Sequence, residues 1–309
     1  MLEDLRNRRK LRDLPLFRLF VMGGLCLVLL IPLAMVGSLI REREARRGQA
    51  TGELSQTWGG PQTLSGPVLF VPYRQWVRDE HGKVEVVTQE ARFLPETLRT
   101  EGRIDPERRS RGIFEAVLYR AGLKVSGTFK RPSLAAWHVA PEDILWNDAR
   151  LSFGLSDMRG LHRAGDLTWL GRPFPLAPGG SEPGLWDSGL KAPLPGLATV
   201  GELLPFAYEI DVQGTGTLQF LPFGKQTTLA LSSPWADPSF VGSFLPESRT
   251  VSPKGFTAAW SVPYFGRSYP QQWLASETEH AAPAAALSAS AFGLSLSTGR
   301  LLPEDRARA

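Results

Sequence analysis

Side chains able to do chemistry are scattered through this 309-residue chain rather than gathered. The four histidines, His81, His138, His162 and His280, stand far apart. None falls three or four residues from another, the spacing that puts two metal ligands on one helix face. The single cysteine, Cys26, lies inside an apolar run, so no internal disulfide can form. Neither a zinc site nor a cofactor is expected.

Phosphate and nucleophile motifs fail on spacing. Phe223-Gly224-Lys225-Gln226 holds a Gly-Lys pair, but Gln219 stands where the first glycine of a phosphate loop belongs, and Gln226 replaces its Ser/Thr. Gly214-Thr215-Gly216 lacks the third glycine of a dinucleotide fingerprint, because Gln219 takes that place too. Both read as turns. No Gly-x-Ser-x-Gly elbow occurs, and Ser232 and Ser233, before Pro234-Trp235, have no His or Lys nearby in sequence. The pairs Glu142/Asp143 and Asp79/Glu80 read as turn and helix-start residues. No residue is assigned as catalytic, cofactor-binding or metal-ligating. Of nine tryptophans, Trp58, Trp146, Trp186, Trp235 and Trp273 neighbour Gly, Pro, Asp or Asn. Packing under turns is the expected role for most, ahead of binding sugars or peptides or resting at a membrane surface.

The element that organises the rest is residues 19–40, uncharged throughout. About twenty apolar residues at ~1.5 Å rise cross a hydrocarbon core ~30 Å thick. A cleaved signal peptide has a shorter apolar core and a small-residue cleavage site. A transmembrane helix is therefore expected, kinked at Pro32. Arg6, Arg8, Arg9, Lys10, Arg12 and Arg18 precede it, against Arg41, Arg43, Arg46 and Arg47 after it. That bias places the N-terminus in the cytoplasm and the bulk of the chain outside. The formal charge of +4 comes from this end: residues 1–47 hold ten Lys/Arg and five Asp/Glu, the remainder 25 and 26. Topology and headgroup attraction account for it, and nucleic acid is not an expected partner.

Residues 1–18 form a basic cytoplasmic segment, 41–57 a polar juxtamembrane segment, 58–275 a β-rich domain, and 276–309 an Ala-rich, loosely ordered tail. Alternating runs predict strands: Leu151, Phe153, Leu155; Phe206, Tyr208, Ile210, Val212; Leu218, Phe220; Thr227, Leu229, Leu231; and Phe256, Ala258, Trp260, Val262. Residues 68–77 and 83–94 predict a hairpin around Asp79-Glu80-His81-Gly82. Residues 111–119 and 123–130 predict another around Arg120-Ala121-Gly122. Short helical pieces are expected at 133–137 and 141–146. The Pro/Gly-rich stretch 171–201 reads as a surface loop dividing two β subdomains. The fold class is mainly β: one N-terminal transmembrane helix, then a large antiparallel, sandwich-like extracytoplasmic domain.

Trp58-Gly59-Gly60-Pro61-Gln62-Thr63-Leu64-Ser65-Gly66-Pro67-Val68, Ser156-Asp157-Met158-Arg159-Gly160 and Leu231-Ser232-Ser233-Pro234-Trp235 with Pro238-Ser239-Phe240 occur in order with compatible spacing. The set resembles the CreD family of bacterial inner-membrane proteins, from about residue 16 to 296. The resemblance implies a periplasmic domain after the first span, further membrane helices after it, and a role in cell-envelope integrity and envelope stress, with no catalytic residues to carry over. Phe292-Gly293-Leu294-Ser295-Leu296 is similar to the family's return into the membrane, and the divergence after it leads us to expect a truncated or frameshifted product. The expected partners are the lipid bilayer and an envelope protein or cell-wall component. A membrane-anchored periplasmic hydrolase or transferase, its site assembled only in three dimensions, is the alternative.

Overall fold

The computed structural model describes residues 22–25, 28–32, 34–39, 41–42, 52, 58–78, 83–111, 114–197 and 201–296. It comprises two units, Met1–Gly52 and Glu53–Ala309. In the first, the helix Met22–Leu39 is long and apolar enough to cross a membrane, and none of it is buried against protein. Most of the expected juxtamembrane segment, and the turn at 79–82, lie outside the described residues.

The second unit is built from strands. In chain order they are β1 (Gln62–Arg78), β2 (Val84–Phe93), β3 (Thr97–Arg111), β4 (Phe114–Lys130), β5 (Arg150–Leu155) and β6 (Leu161–Ala164). Then come β7 (Leu167–Trp169), β8 (Arg172–Phe174), β9 (Ala177–Pro178), β10 (Gly189–Pro193), β11 (Leu203–Thr215) and β12 (Thr217–Phe220). The last are β13 (Gln226–Ser233), β14 (Pro238–Gly242), β15 (Ser248–Ser252), β16 (Gly255–Pro263), β17 (Gln272–Leu274) and β18 (Phe292–Leu296). One sheet runs β14-β18-β12-β1-β5-β10-β9, with β2 on β1 and β17 on β2. The other runs β15-β16-β13-β3-β4-β11-β7-β8, with β6 on β11. The ladders are antiparallel except β1–β12 and β3–β13, which are parallel, so the sheets are mixed.

Alternation explains the core. On β11, Leu204, Phe206, Tyr208, Ile210 and Val212 are buried, with more exposed residues between them. The inner faces of the two sheets meet through aromatic rings. Phe153 of β5 stacks on Tyr208 of β11 at 4.5 Å, and Phe240 of β14 stands edge-on to Trp260 of β16 at 5.6 Å. Gly127 of β4 sits where an added Cβ would lie 2.0 Å from the Thr97 carbonyl oxygen and 2.8 Å from the Phe206 ring. Gly127→Ala is expected to cost about 1–3 kcal/mol by overpacking, read as a lower denaturant midpoint.

Three expectations are corrected. Arg120-Ala121-Gly122 is not a turn but the middle of β4, where Ala121 is buried in line with Leu123 and Val125. The hairpin partner of β4 is β3, whose charged outer face (Arg99, Glu101, Arg103, Asp105) hides an inner row of Leu98, Thr100, Gly102 and Ile104. The 171–201 stretch is no divider: it carries β10, which closes on β5 through Gly189, where a Cβ would meet the Phe153 carbonyl at 2.1 Å. Residues 276–296 are not a loose tail, and Phe292–Leu296 is not a return into lipid. Phe292, Leu294 and Leu296 alternate into the core as β18, paired with both β12 and β14. The expected mainly β, largely antiparallel class holds, with two parallel ladders, each joining strands far apart in sequence. The short helical pieces stand as 3-10 turns at Ala135–Trp137, Pro141–Asp143 and Trp146–Asp148.

Candidate functional site

Three places gather polar side chains. The first locks the start of the domain. Gln62, 1% exposed at the head of β1, donates from Nε2 to the Asp157 carbonyl at 3.0 Å and the Gln213 carbonyl at 3.3 Å. Its Oε1 accepts the Asp157 N–H at 3.3 Å. Around it, Gly60 N–H donates to Asp157 Oδ2 at 2.9 Å, Gln213 Nε2 to the Trp58 carbonyl at 2.9 Å, and Thr215 Oγ1 to the Gly59 carbonyl at 2.6 Å. Gly59, at φ +112°, and Gly160 make room, since a Cβ on Gly160 would lie 2.1 Å from Gln62 Nε2. Arg120 lies over the Trp58 ring, 5.0 Å from its centre. The outcome is a clamp that holds the chain just before β1 against β11 and the turn before β6.

Asp157 is the titratable member of this clamp. The Arg159 side chain, and then N–H groups of Gly60 and Arg159, hold its carboxyl below the usual range against the opposing effect of burial. A depressed folded-state pKa contributes stability above the unfolded value, about 3.9, and loses it as pH falls through the folded value. The denaturation midpoint is therefore expected to drop below about pH 4. In Asp157→Asn that drop should be shallower and the midpoint at pH 7 lower; titrating both proteins with denaturant from pH 7 to pH 3 checks this.

The second place is a half-buried charge cluster on β1, β2 and β5. The Arg150 guanidinium donates Nη2 to Glu182 Oε2 at 2.8 Å and to Glu90 Oε2 at 3.2 Å, Nε to Glu182 Oε1 at 3.3 Å, and Nη1 to Glu90 Oε1. The Glu182 side chain is 4% exposed. Arg150 and Arg92 lie over the Phe70 ring at 4.4 and 5.6 Å, set there because Phe70 pairs with both across its two ladders. Arg92 donates to Thr278 Oγ1 at 2.6 Å. Burial opposes the Arg150 charge, but hydrogen bonding and attraction from Glu90 and Glu182 raise its pKa overall; for Arg92, burial wins and lowers it. Two arginines and two glutamates balance.

The third is a groove of about 550 Å³ on the outer face of the β15-to-β4 sheet. Ala230, Ser232, Thr257 and Ala259 line its floor, with Glu101, Arg103 and Lys124 along one side. The charges are engaged: Arg103 with Asp105 at 3.2 Å, Lys124 with Glu209 at 3.3 Å, and Glu101 with Arg99 at 2.5 Å. The exposed lining is more apolar than polar, alanine and glycine interspersed with the hydroxyls of Ser232 and Thr257. Among the described residues lining it there is no histidine to activate Ser232, whose Oγ is 3.5 Å from the Gly102 carbonyl.

The structure brings none of the histidines together: His138, His162 and His280 are exposed at separate sites, and His81 lies outside the described residues. No metal-ligating group forms among the described residues. Ser233 accepts the Trp235 N–H at 3.3 Å, a turn contact. Gly214 and Thr215 end β11, Gly216 alone links it to β12, and residues 221–225 link β12 to β13. Of the tryptophans, Trp169, Trp186, Trp235, Trp260 and Trp273 are buried, Trp58, Trp137 and Trp146 are half-buried, and Trp76 is 62% exposed. Gln62, Asp157, Glu90, Arg150 and Glu182 are not singled out as polar centres by sequence, although Gln62, Asp157 and, in Asp148-Ala149-Arg150-Leu151, Arg150 lie inside the family-like motifs.

A candidate membrane-spanning helix followed by a clamped two-sheet β domain defines the class: a membrane protein with a large β-rich domain. The family model of inner membrane protein CreD matches residues 15–300, and the chain belongs to that family. It is 30% identical over 259 residues to inner membrane protein CreD of Escherichia coli (strain K12), covering 82% of this chain and 57% of that protein. The chain thus spans little more than half the length of this curated relative. Among solved structures it is similar to an M1 zinc metallopeptidase from Deinococcus radiodurans, 11% identical over 56% of this chain and 40% of that one, with a TM-score of 0.25. A second structure of that peptidase, an E323A mutant bound to a Tyr-Ser-Ala substrate, gives 12% and the same TM-score of 0.25. Likeness at that score carries no assignment of fold or activity.

Proposed function

We propose that this chain sits in the bacterial inner membrane with its N-terminus in the cytoplasm and its β domain in the periplasm. There the domain supports envelope integrity as a binding body rather than as a catalyst. The observation supporting this reading is where the perturbed titratable groups lie. Arg150, Arg92 and Asp157 are spent on ion pairs and hydrogen bonds that hold the fold. Arg267, lowered by burial, donates to the Phe223 carbonyl at 2.9 Å and lies 4.9 Å from the centre of the Tyr269 ring, while Tyr119, Tyr208 and Tyr269, pushed up by burial, sit in the core. Perturbed groups poised in a cleft would instead favour an envelope hydrolase or transferase. The groove on the outer sheet face is the surface offered to an envelope protein or cell-wall strand.

Paired fusions of alkaline phosphatase and green fluorescent protein after Leu296 test the topology. Active phosphatase with dark fluorescent protein is expected; the reverse pattern contradicts the periplasmic placement. For the role, expression in a strain lacking its own family member is expected to restore tolerance to envelope stress. Ala230→Glu/Ala259→Arg, which crowds the groove floor, is expected to abolish that rescue while leaving the level of folded protein unchanged.

A further inference from the structure

β18 comes after every other strand in chain order, yet it stands inside a sheet rather than at an edge. On one side it pairs with β12, Phe292 opposite Phe220 and Ser295 opposite Thr217. On the other it pairs with β14, Phe292 opposite Gly242 and Leu296 opposite Pro238. Among the described residues β14 has no other strand neighbour, so β18 alone ties it into the sheet. Two short helices, Thr278–Ala281 and Ala284–Ala289, lead into β18.

The slot between β12 and β14 is shaped for this strand. Phe292, Leu294 and Leu296 are at most 2% exposed. The Phe292 ring stands edge-on to Phe244 at 5.8 Å and lies 6.2 Å from Trp260. A Cβ on Gly293 would lie 2.2 Å from the Leu218 carbonyl oxygen, and one on Gly242 would lie 2.1 Å from that of Ala291. Both flanking backbones therefore come closer than a side chain at these two positions allows. The Leu296 N–H donates to the Gly216 carbonyl at 2.6 Å and the Ser243 N–H to the Ala291 carbonyl at 3.0 Å, closing the slot at either end. Emptied, it would present two unpaired strand edges beside the Phe244 and Trp260 rings, an arrangement that takes up an extended strand.

We propose that the β12–β14 slot is a strand-binding site selective for an extended Phe-Gly-Leu-x-Leu segment, and that β18 fills it in cis as a latch that closes the domain. Ladder hydrogen bonds along both edges supply the affinity. The places for residues 292, 294 and 296, and the close approach at 293, supply the selectivity. The chain before β18 tethers the latch to its own slot, so docking is intramolecular and an outside strand is shut out. A chain cut just before β18 opens the slot to the same segment supplied in trans.

The test uses the full chain in detergent, with a protease recognition site inserted between Ala284 and Ala285, both exposed, and cut only after folding. The C-terminal fragment is expected to stay with the body through gel filtration. A fluorescent peptide of residues 290–296 is then expected to exchange into the cut protein, and to enter the uncut protein at least about tenfold less. The same peptide carrying Gly293→Val is expected to bind about tenfold more weakly, although valine favours strands. A fragment that separates on the first column overturns the proposal. So does equal uptake by cut and uncut protein, or equal binding of the two peptides. A second arrangement avoids the insertion: a chain ending at Ala291 is refolded with each peptide. The native peptide is expected to raise the yield of folded chain several-fold over the Gly293→Val peptide, and equal yields overturn the proposal.

Discussion

Arg150→Met is expected to destabilise the β domain by about 3 kcal/mol at pH 7. The guanidinium reaches two carboxylates at once, and removing it leaves Glu182, 4% exposed, and Glu90, 20% exposed, without their donors. Stranding a buried charge costs more than the pair itself contributes, because the remaining ion has lost its water without gaining a partner. Arg92 stays close enough to offset part of this through its attraction to both glutamates, which sets the figure at the low end of the usual range. Arg150→Lys is not a rescue, since a single ammonium cannot present two forks. Arg150→Met/Glu182→Gln should recover a large part of the loss, because a neutral amide carries no stranded charge. Denaturant titration followed by tryptophan fluorescence measures all three. A loss under about 1 kcal/mol would mean that the cluster behaves as a solvated surface network.

Gln62→Leu is expected to cost about 2–4 kcal/mol. Leucine fills the same space, so the change isolates the polar contacts. It leaves the carbonyls of Asp157 and Gln213 and the Asp157 N–H without their partner in a site 1% exposed. The loss should come with faster proteolysis next to Trp58, because the chain before β1 is held mainly through this network. Gln62→Glu should be no milder: a carboxylate cannot donate to the two carbonyls. Unchanged stability together with unchanged proteolysis would remove the clamp from the account.

What was legible in the sequence was whatever period 2 could carry. Leu151, Phe153 and Leu155, and likewise Thr227, Leu229 and Leu231, announce strands because one face is buried and the other wet. β3 escaped notice since its outer face is charged and its inner face includes Thr100 and Gly102, so the apolar signal is diluted. β18 escaped because Ala-rich helices precede it and its glycine and serine mask three core residues. Its place between β12 and β14 is set by partners some 50 to 80 residues earlier. The two polar centres were illegible for the same reason. Gln62 meets Asp157 across 95 residues, and Arg150 meets Glu90 across 60. Spacing rules register neighbours on one helix or strand, whereas these groups are brought together by β1, which pairs with three strands in turn.

Sodium carbonate extraction of membranes from cells expressing the full chain tests the central claim most directly. High pH strips peripheral proteins but leaves a helix-anchored chain in the lipid. The helix Met22–Leu39 predicts that the intact protein stays in the pellet and enters solution only with detergent. Intact chain recovered in the alkaline supernatant, its N-terminal residues still present, would contradict it.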